Sequence, residues 1–342
     1  MNTNQKHTIL FTLLTLFLVL LLFFNISLGQ ISIPFKEVFK SILGFQANKE
    51  TWEYIIFNYR LPKAITAILA GMGLSISGLL MQTLFRNPLA GPYVLGLSSG
   101  SSLGVAFVIL GASYLPSFMA SCFLSSYGII LASCLGSLLV LVFVLLVSKR
   151  LRDTMSILIV GLMFSSFSGA IISVLTYFSS AGALQKFTFW SMGNLGNLSW
   201  NQIVLLSITV LLGLFLSILN IKSLDALLLG ENYARSMGVN FKKSKFLIII
   251  ATSILSGSIT AFAGPIAFVG LAVPHIVKMI FKTSTHYTLF FGTLLCGASL
   301  MLLCDLISQM PGMNVTLPIN AITSIIGAPI VIWLLVRKRN FN

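Results

Sequence analysis

Residues 8–28 read TILFTLLTLFLVLLLFFNISL, a stretch with no ionisable side chain. As a helix it rises about 31 Å, enough to cross a hydrocarbon core about 30 Å thick. Similar apolar runs of roughly 16 to 25 residues recur along the whole chain. They are continuous rather than alternating, which favours helices over the strands of a barrel, because lipid leaves every backbone polar group to be satisfied internally. Composition agrees: of 342 residues, 57% are hydrophobic and 8% charged, and the mean hydropathy is +1.00. A soluble domain has no use for that much apolar surface.

Lys6 and His7 precede this first run as they would in a secretory signal. No small-residue A-x-A site follows it, so it is predicted to be a retained first span with a cytoplasmic N-terminus. Further spans are predicted near 64–84, 93–112, 127–147, 155–177, 201–220, 246–263, 266–281, 287–308 and 318–336. The seventh and eighth are separated only by Gly264-Pro265, and the eighth contains Pro274, so one kinked helix or a re-entrant segment is an alternative there. Charge arbitrates for ten. That count leaves only Lys36, Lys40, Lys49, Arg60, Lys63 and Lys186 of the 21 Lys and Arg outside, and it returns the C-terminus to the cytoplasm. The net charge of +14 is then topological, and no nucleic-acid partner is needed to explain it.

The sequence contains no G-x-x-x-x-G-K-[ST] phosphate loop, so any nucleotide that drives this protein is bound by another chain. Cys122, Cys134, Cys296 and Cys304 have no C-x-x-C spacing and read as packing residues. His7, His275 and His286 are too scattered to form a metal or haem site, and no cofactor is expected. Small residues such as Gly71, Ser75 and Gly78 fall near one helical face, where they let helix backbones approach.

The helix ends carry the specific signal. In order they read Arg60-Leu-Pro-Lys63, Gly78-Leu-Leu-Met-Gln82, Arg86-Asn-Pro-Leu-Ala-Gly-Pro92, Leu95-Gly-Leu-Ser-Ser-Gly100 and Phe189-Trp-Ser-Met-Gly193. The blocks 224–239, 263–278 and 317–329 follow. This ordered set resembles the FecCD-type permeases of ABC importers for ferric siderophores, haem and cobalamin. The resemblance implies an all-α polytopic membrane helix bundle of about ten transmembrane helices, the type II ABC importer permease. It also implies a second permease subunit, identical or closely related, an ABC ATPase dimer and an extracytoplasmic substrate-binding protein. Cargo would move by alternating access. The chain departs from the family in having Lys278 and Gln309 where Arg is frequent, and Asn320 where Gly is frequent.

Several residue roles follow from the resemblance. Arg60 and Lys63 are expected to dock the binding protein through salt bridges, although interfacial snorkelling explains them too. Thr154 and Met155 align with the family's gate region, while capping by Asp153 or Thr154 accounts for the same residues. Asn87 and Pro88 are assigned to the pathway or to its structural support. Within 221–245, a cytoplasmic loop of the single permease domain, Leu229, Gly230, Glu231, Ala234, Arg235 and Gly238 are expected to seat on the ATPase. Their E-x-x-A-x-x-x-G pattern would occupy two short helices broken at Gly230, the second ending at Gly238. Asp305 is the one acidic residue within an apolar run. It is expected either to hydrogen-bond a neighbouring helix or to stand at the pathway entrance, and it is the only feature that suits a proton-coupled carrier. A membrane enzyme is the remaining alternative, and the choice among ferric siderophore, haem and cobalamin stays open.

Overall fold

A computed structural model describes residues 3–112, 116–150, 154–196, 198–230, 233, 236–238, 240–310 and 315–339. Every regular element among them is helical. In chain order these are α1 (Thr3–Ser27), α2 (Phe35–Ile42), α3 (Glu50–Ile55), α4 (Leu61–Leu84), α5 (Leu97–Gly111), α6 (Ser117–Phe123), α7 (Ser126–Arg150) and α8 (Thr154–Tyr177). There follow α9 (Ala181–Ser191), α10 (Trp200–Leu219), α11 (Ile221–Leu228), α12 (Phe241–Ala263), α13 (Val269–Phe281), α14 (His286–Ser308) and α15 (Ile319–Arg339). Among the described residues, seven stretches are long and apolar enough to cross a bilayer, and three shorter apolar helices, Leu97–Gly111, Val269–Phe281 and Ile319–Trp333, join them. Together they match the ten predicted spans one for one.

The chain breaks between the seventh and eighth of these spans. Gly264 leaves α12 with φ 77° and Phe268 opens α13 with φ 66°, so the alternative of one kinked helix is set aside. Helix α13, with Pro274 inside it, reaches only about 20 Å at 1.5 Å per residue. Non-helical backbone next to so short a helix must find other hydrogen-bond partners. Asn320 supplies one, its Oδ1 accepting the Ala267 N–H at 3.0 Å. A glycine there, as the family often has, lacks that acceptor.

Contacts sort the chain into two compact units. The first comprises Met1–Ser75, Asn194–Ser207 and Ile266–Asn342. In it α1 lies along α14, and α13 packs on α14 and α15. The first turns of α4 meet α14 backbone to backbone: a Cβ on Gly71 would lie 2.3 Å from the Gly297 carbonyl oxygen. No larger residue fits that crossing. The second unit comprises Ile76–Gly193 and Ile208–Pro265, where α5 packs on α7, α8 and α9, and α12 packs on α7. Here too glycines set the spacing, since a Cβ on Gly136 would stand 2.1 Å from the Gly100 carbonyl oxygen. Without a hydrophobic drive between helices in lipid, close packing of this kind holds a bundle together.

Burial separates two kinds of span. Only 17% of the apolar window of α1 is buried, against 83% in the stretch that contains α4. Leucine and phenylalanine can face lipid at no cost, so α1 reads LLTLFLVLLL, whereas α4 is built from Ala64, Ala67, Ala70, Gly71, Ser75 and Ser77.

Candidate functional site

Two clusters of polar residues flank α4. Before it, a single π-turn (Ile56–Arg60) joins α3 to α4 and carries Arg60 inward to 8% exposure. Its guanidinium donates to the carbonyls of Ile26 at 2.5 Å and Ser27 at 2.7 Å, and also to that of Ile31. Ile26 and Ser27 close α1, whose last carbonyls lack intrahelical donors and carry the negative end of the helix dipole. A cation is the fitting cap. One turn into α4, Lys63 Nζ lies 2.9 Å from Asp305 Oδ1. The other oxygen, Oδ2, accepts from Asn25 Nδ2 at 2.8 Å and from Gln309 Nε2 at 2.8 Å.

Asp305 is 1% exposed. Such a carboxylate is tolerable only when a cation and donors compensate its desolvation, and here one lysine and two amides do so. The sequence reading treated the Arg60/Lys63 pair and Asp305 as separate features, while the structure joins Lys63 to Asp305 and sets Arg60 on the end of the helix that supplies Asn25. Asp305 thus bonds to Asn25 of α1 and pairs with Lys63 of α4. Gln309 acquires a reason as well: it donates to the carboxylate without adding charge beside Lys63. Asn25 was missed, although it is the one amide in the first span and marks the place where that span turns polar.

After α4 the chain turns at Arg86, which has φ 48°, an uncommon conformation for a residue with a Cβ. Asn87 Oδ1 accepts the Leu89 N–H at 2.9 Å, and the Asn87 carbonyl accepts the Ala90 N–H at 3.0 Å, so Asn87 holds the Pro88 turn by local bonding. The Arg86 side chain reaches across to the end of α11, donating from Nε and Nη2 to the Leu227 carbonyl at 3.1 and 2.7 Å. Gly230 follows with φ 119°, and a Cβ there would lie 3.1 Å from Arg86 Nη2. The backbone angle demands glycine, and a Cβ would also push the Arg86 guanidinium slightly aside. Arg86 therefore ties the turn after α4 to the base of the 221–245 loop, a function that the sequence reading did not assign.

Beyond Gly230, Tyr233 and Ser236 are helical, and Gly238 has φ 83° with nothing within 4 Å of a Cβ placed on it. Leu229, Tyr233 and Met237, four residues apart in the sequence, are all exposed. Glu231, Ala234 and Arg235 lie outside the described residues, as does Asp153. Thr154 and Met155 open α8, with their side chains outside the description.

The chain matches the FecCD transport family over residues 16–337. It is 32% identical to the hemin transport system permease protein HmuU of Yersinia pestis across 99% of this chain and 98% of that protein. To the vitamin B12 import system permease protein BtuC of Klebsiella pneumoniae it is 33% identical, covering 95% and 93% of the two chains. Among solved structures it resembles an inward-facing conformation of a transporter assigned to the metal-chelate ABC type, with TM-score 0.83, 28% identity and coverage of 96% and 99%. PsaBC from Streptococcus pneumoniae, at 14% identity and TM-score 0.57 over 87% of this chain, shares the fold. With helices matching the ten predicted spans and a family match running nearly end to end, this multi-pass chain belongs to the FecCD transport family and is the pore subunit of an ABC importer, whose ATP hydrolysis resides in separate partner chains.

Proposed function

We propose that this permease carries a ferric siderophore inward, with two copies of the chain or this chain and a close relative enclosing the pathway. The alternating-access cycle would be driven by an ATPase dimer on the side that holds both termini. The observation that carries the coupling side is the exposure of the apolar side chains Leu229, Tyr233 and Met237, which stand on either side of Gly230 and close in sequence to the Leu227 carbonyl that Arg86 holds. Short helices of this size are marginal alone, and exposed apolar residues at the water side of a membrane protein call for a partner. We assign Leu229, Gly230, Glu231, Ala234, Arg235 and Gly238 to that contact, and Thr154 and Met155 to the gate. Binding-protein docking is assigned to the Arg60 end of α4. There Lys63 is the more accessible cation, and an acidic residue on the binding protein would compete with Asp305 for it.

Haem is the second reading for cargo, favoured by the end-to-end match to a hemin permease; cobalamin is the third, from the vitamin B12 permeases. All three are bulky metal-bearing molecules that need shape rather than charge from a pore. A proton-coupled carrier is disfavoured, because Asp305 is already paired with Lys63. The test is reconstitution in liposomes with the cognate ATPase and binding protein, followed by ATP-dependent uptake of each cargo in turn. Uptake of ferric siderophore in preference to the other two is expected. Preference for haem or cobalamin overturns the siderophore assignment.

A further inference from the structure

Helix α2 is inside out for a helix in water. Its buried residues are Glu37, Val38 and Ser41, while Phe35, Phe39 and Ile42, at i, i+4 and i+7, are exposed. The exposed face extends to Ile31 on one side and to Leu43 and Phe45 on the other. A surface helix facing solvent shows the opposite pattern.

Both polar residues on the covered face are satisfied, Ser41 Oγ donating to the Glu37 carbonyl at 2.9 Å. Glu37 Oε2 accepts the Asn48 N–H at 2.9 Å, Oε1 accepts from Asn48 Nδ2 at 3.0 Å, and Lys40 Nζ stands 3.6 Å from Oε1. The orientation of α2 is thus fixed from within. It is also fixed at the preceding turn, where the Ile33 N–H donates to the Ser27 carbonyl at 2.9 Å and Arg60 holds the carbonyls of Ser27 and Ile31. The apolar face has not rolled outward for want of anything to hold it.

What covers that face is indicated by its continuation. Phe35 meets Phe24 edge to face at 5.2 Å, and Phe39 meets Phe23 at 6.3 Å, so the rings of α2 extend those at the end of α1. The exposed side chains of α1, among them Leu13, Leu16, Phe17 and Leu20, belong to a span that crosses the bilayer. Lys36 is exposed, Lys40 is half-exposed, and Lys49 lies 4.9 Å from the centre of the Trp52 ring. Aromatic and aliphatic residues bracketed by lysines suit the boundary between acyl chains and phosphates, where the rings enter and the ammonium groups snorkel to the headgroups.

We propose that α2 and the turn to Phe45 form an in-plane membrane anchor, buried in the lipid headgroup boundary on the side opposite the N-terminus and drawn there by anionic phospholipid. It would hold the loop between the first two spans, and with it the Arg60 cap, at a fixed depth. The inference requires only that α1 crosses the membrane, so it stands or falls independently of cargo and of the ATPase contact.

The test replaces Phe39 with tryptophan in the full chain, reconstituted in vesicles with and without phosphatidylglycerol, and reads the emission added over the unsubstituted protein. A blue-shifted signal is expected, quenched by phospholipid brominated near the headgroup, much less by phospholipid brominated near the acyl terminus, and little by aqueous iodide. Removing phosphatidylglycerol should shift the quenching toward iodide. An iodide-accessible, red-shifted signal in every vesicle would overturn the proposal. Protection that appears only when the binding protein is added would overturn it too, making this face a protein-docking surface. Because Phe39 is exposed, the substitution leaves the packing of the unit intact, and a second reporter at Phe45 must give the same depth for the proposal to survive.

Discussion

Arg60, just before α4, and Arg86, just after it, perform the same bond chemistry in opposite settings. Each donates to main-chain carbonyls at the end of another helix, Arg60 to α1 and Arg86 to α11. Arg60 is buried, and the neighbouring Lys63 is neutralised by a carboxylate that two amides also hold. Arg86 is exposed, sits in a turn with φ 48°, and borders Gly230, beyond which Tyr233 and Met237 are exposed. The first arrangement is held mostly from within the chain, through Asn25, Gln309 and Asp305. The second is a joint held at one point, with an exposed apolar outer surface.

The largest effect is expected at the closed end. Asp305→Asn leaves Lys63 without its counter-ion, and removing one member of a buried pair typically costs about 3 kcal/mol or more. Thermal denaturation of the purified protein should show the loss, while uptake per folded molecule stays near normal. Adding Lys63→Met should recover much of it, a non-additivity that a double-mutant cycle reads directly. Additive losses would mean that the two residues do not act as a pair, and the contrast between the ends of α4 would collapse.

At the open end, Gly230→Ala should act on coupling rather than on folding. With φ at 119°, a Cβ is strained by about 1–3 kcal/mol, and it would also press on Arg86. ATP-driven uptake should fall several-fold with membrane insertion unchanged. Arg86→Ala should be milder, since an exposed charge-assisted bond contributes only about 1 kcal/mol, and it should lower the ATPase-to-permease ratio on co-purification in the same direction. Normal coupling in both variants would detach the turn after α4 from the 221–245 loop.

Further along the same segment, Gly238→Asp should weaken ATPase docking more selectively. Nothing lies within 4 Å of its Cβ position, so no internal clash accompanies the substitution, although its left-handed φ of 83° is tolerated by Asp better than by most residues. Reduced ATPase co-purification with thermal stability lowered only slightly by the left-handed φ is the expected outcome. Equal loss of both would make Gly238 a folding residue and nothing more.

Much of this was legible in the sequence. The ten spans follow from run length and charge asymmetry, and the break at Gly230 and the left-handed Gly238 follow from glycine's backbone freedom. The pairing of Lys63 with Asp305 was not legible, because no periodicity links positions 63 and 305; only the crossing of α4 and α14, set by Gly71 and Gly297, brings those helices together. Arg86 was hidden for a related reason. Its motif served only as part of the family pattern, while its partner is a main-chain carbonyl at position 227, and a carbonyl has no sequence signature. The inverted faces of α2 could have been read, since Phe35, Phe39 and Ile42 share a helical stripe; what sequence could not say is which stripe faces outward.

The smallest effect expected concerns Asn320, and it tests whether a departure from the family pattern can be local bookkeeping of hydrogen bonds. Asn320→Gly removes the acceptor for the Ala267 N–H and adds the helix-destabilising backbone freedom of glycine near the start of α15. Losing a partly buried hydrogen bond costs about 1 kcal/mol, and a glycine inside a helix costs a similar amount relative to alanine. Asn320→Ala separates the two, because it removes the acceptor and keeps a good helix former. Both variants should lower thermal stability slightly, with glycine the lower, and neither should alter cargo preference or ATPase coupling. If alanine were as stable as asparagine, the Ala267 amide would have another partner and the bond to Asn320 would explain nothing. A change in cargo preference would instead move Asn320 from the support of the break at 264–268 to the pathway itself.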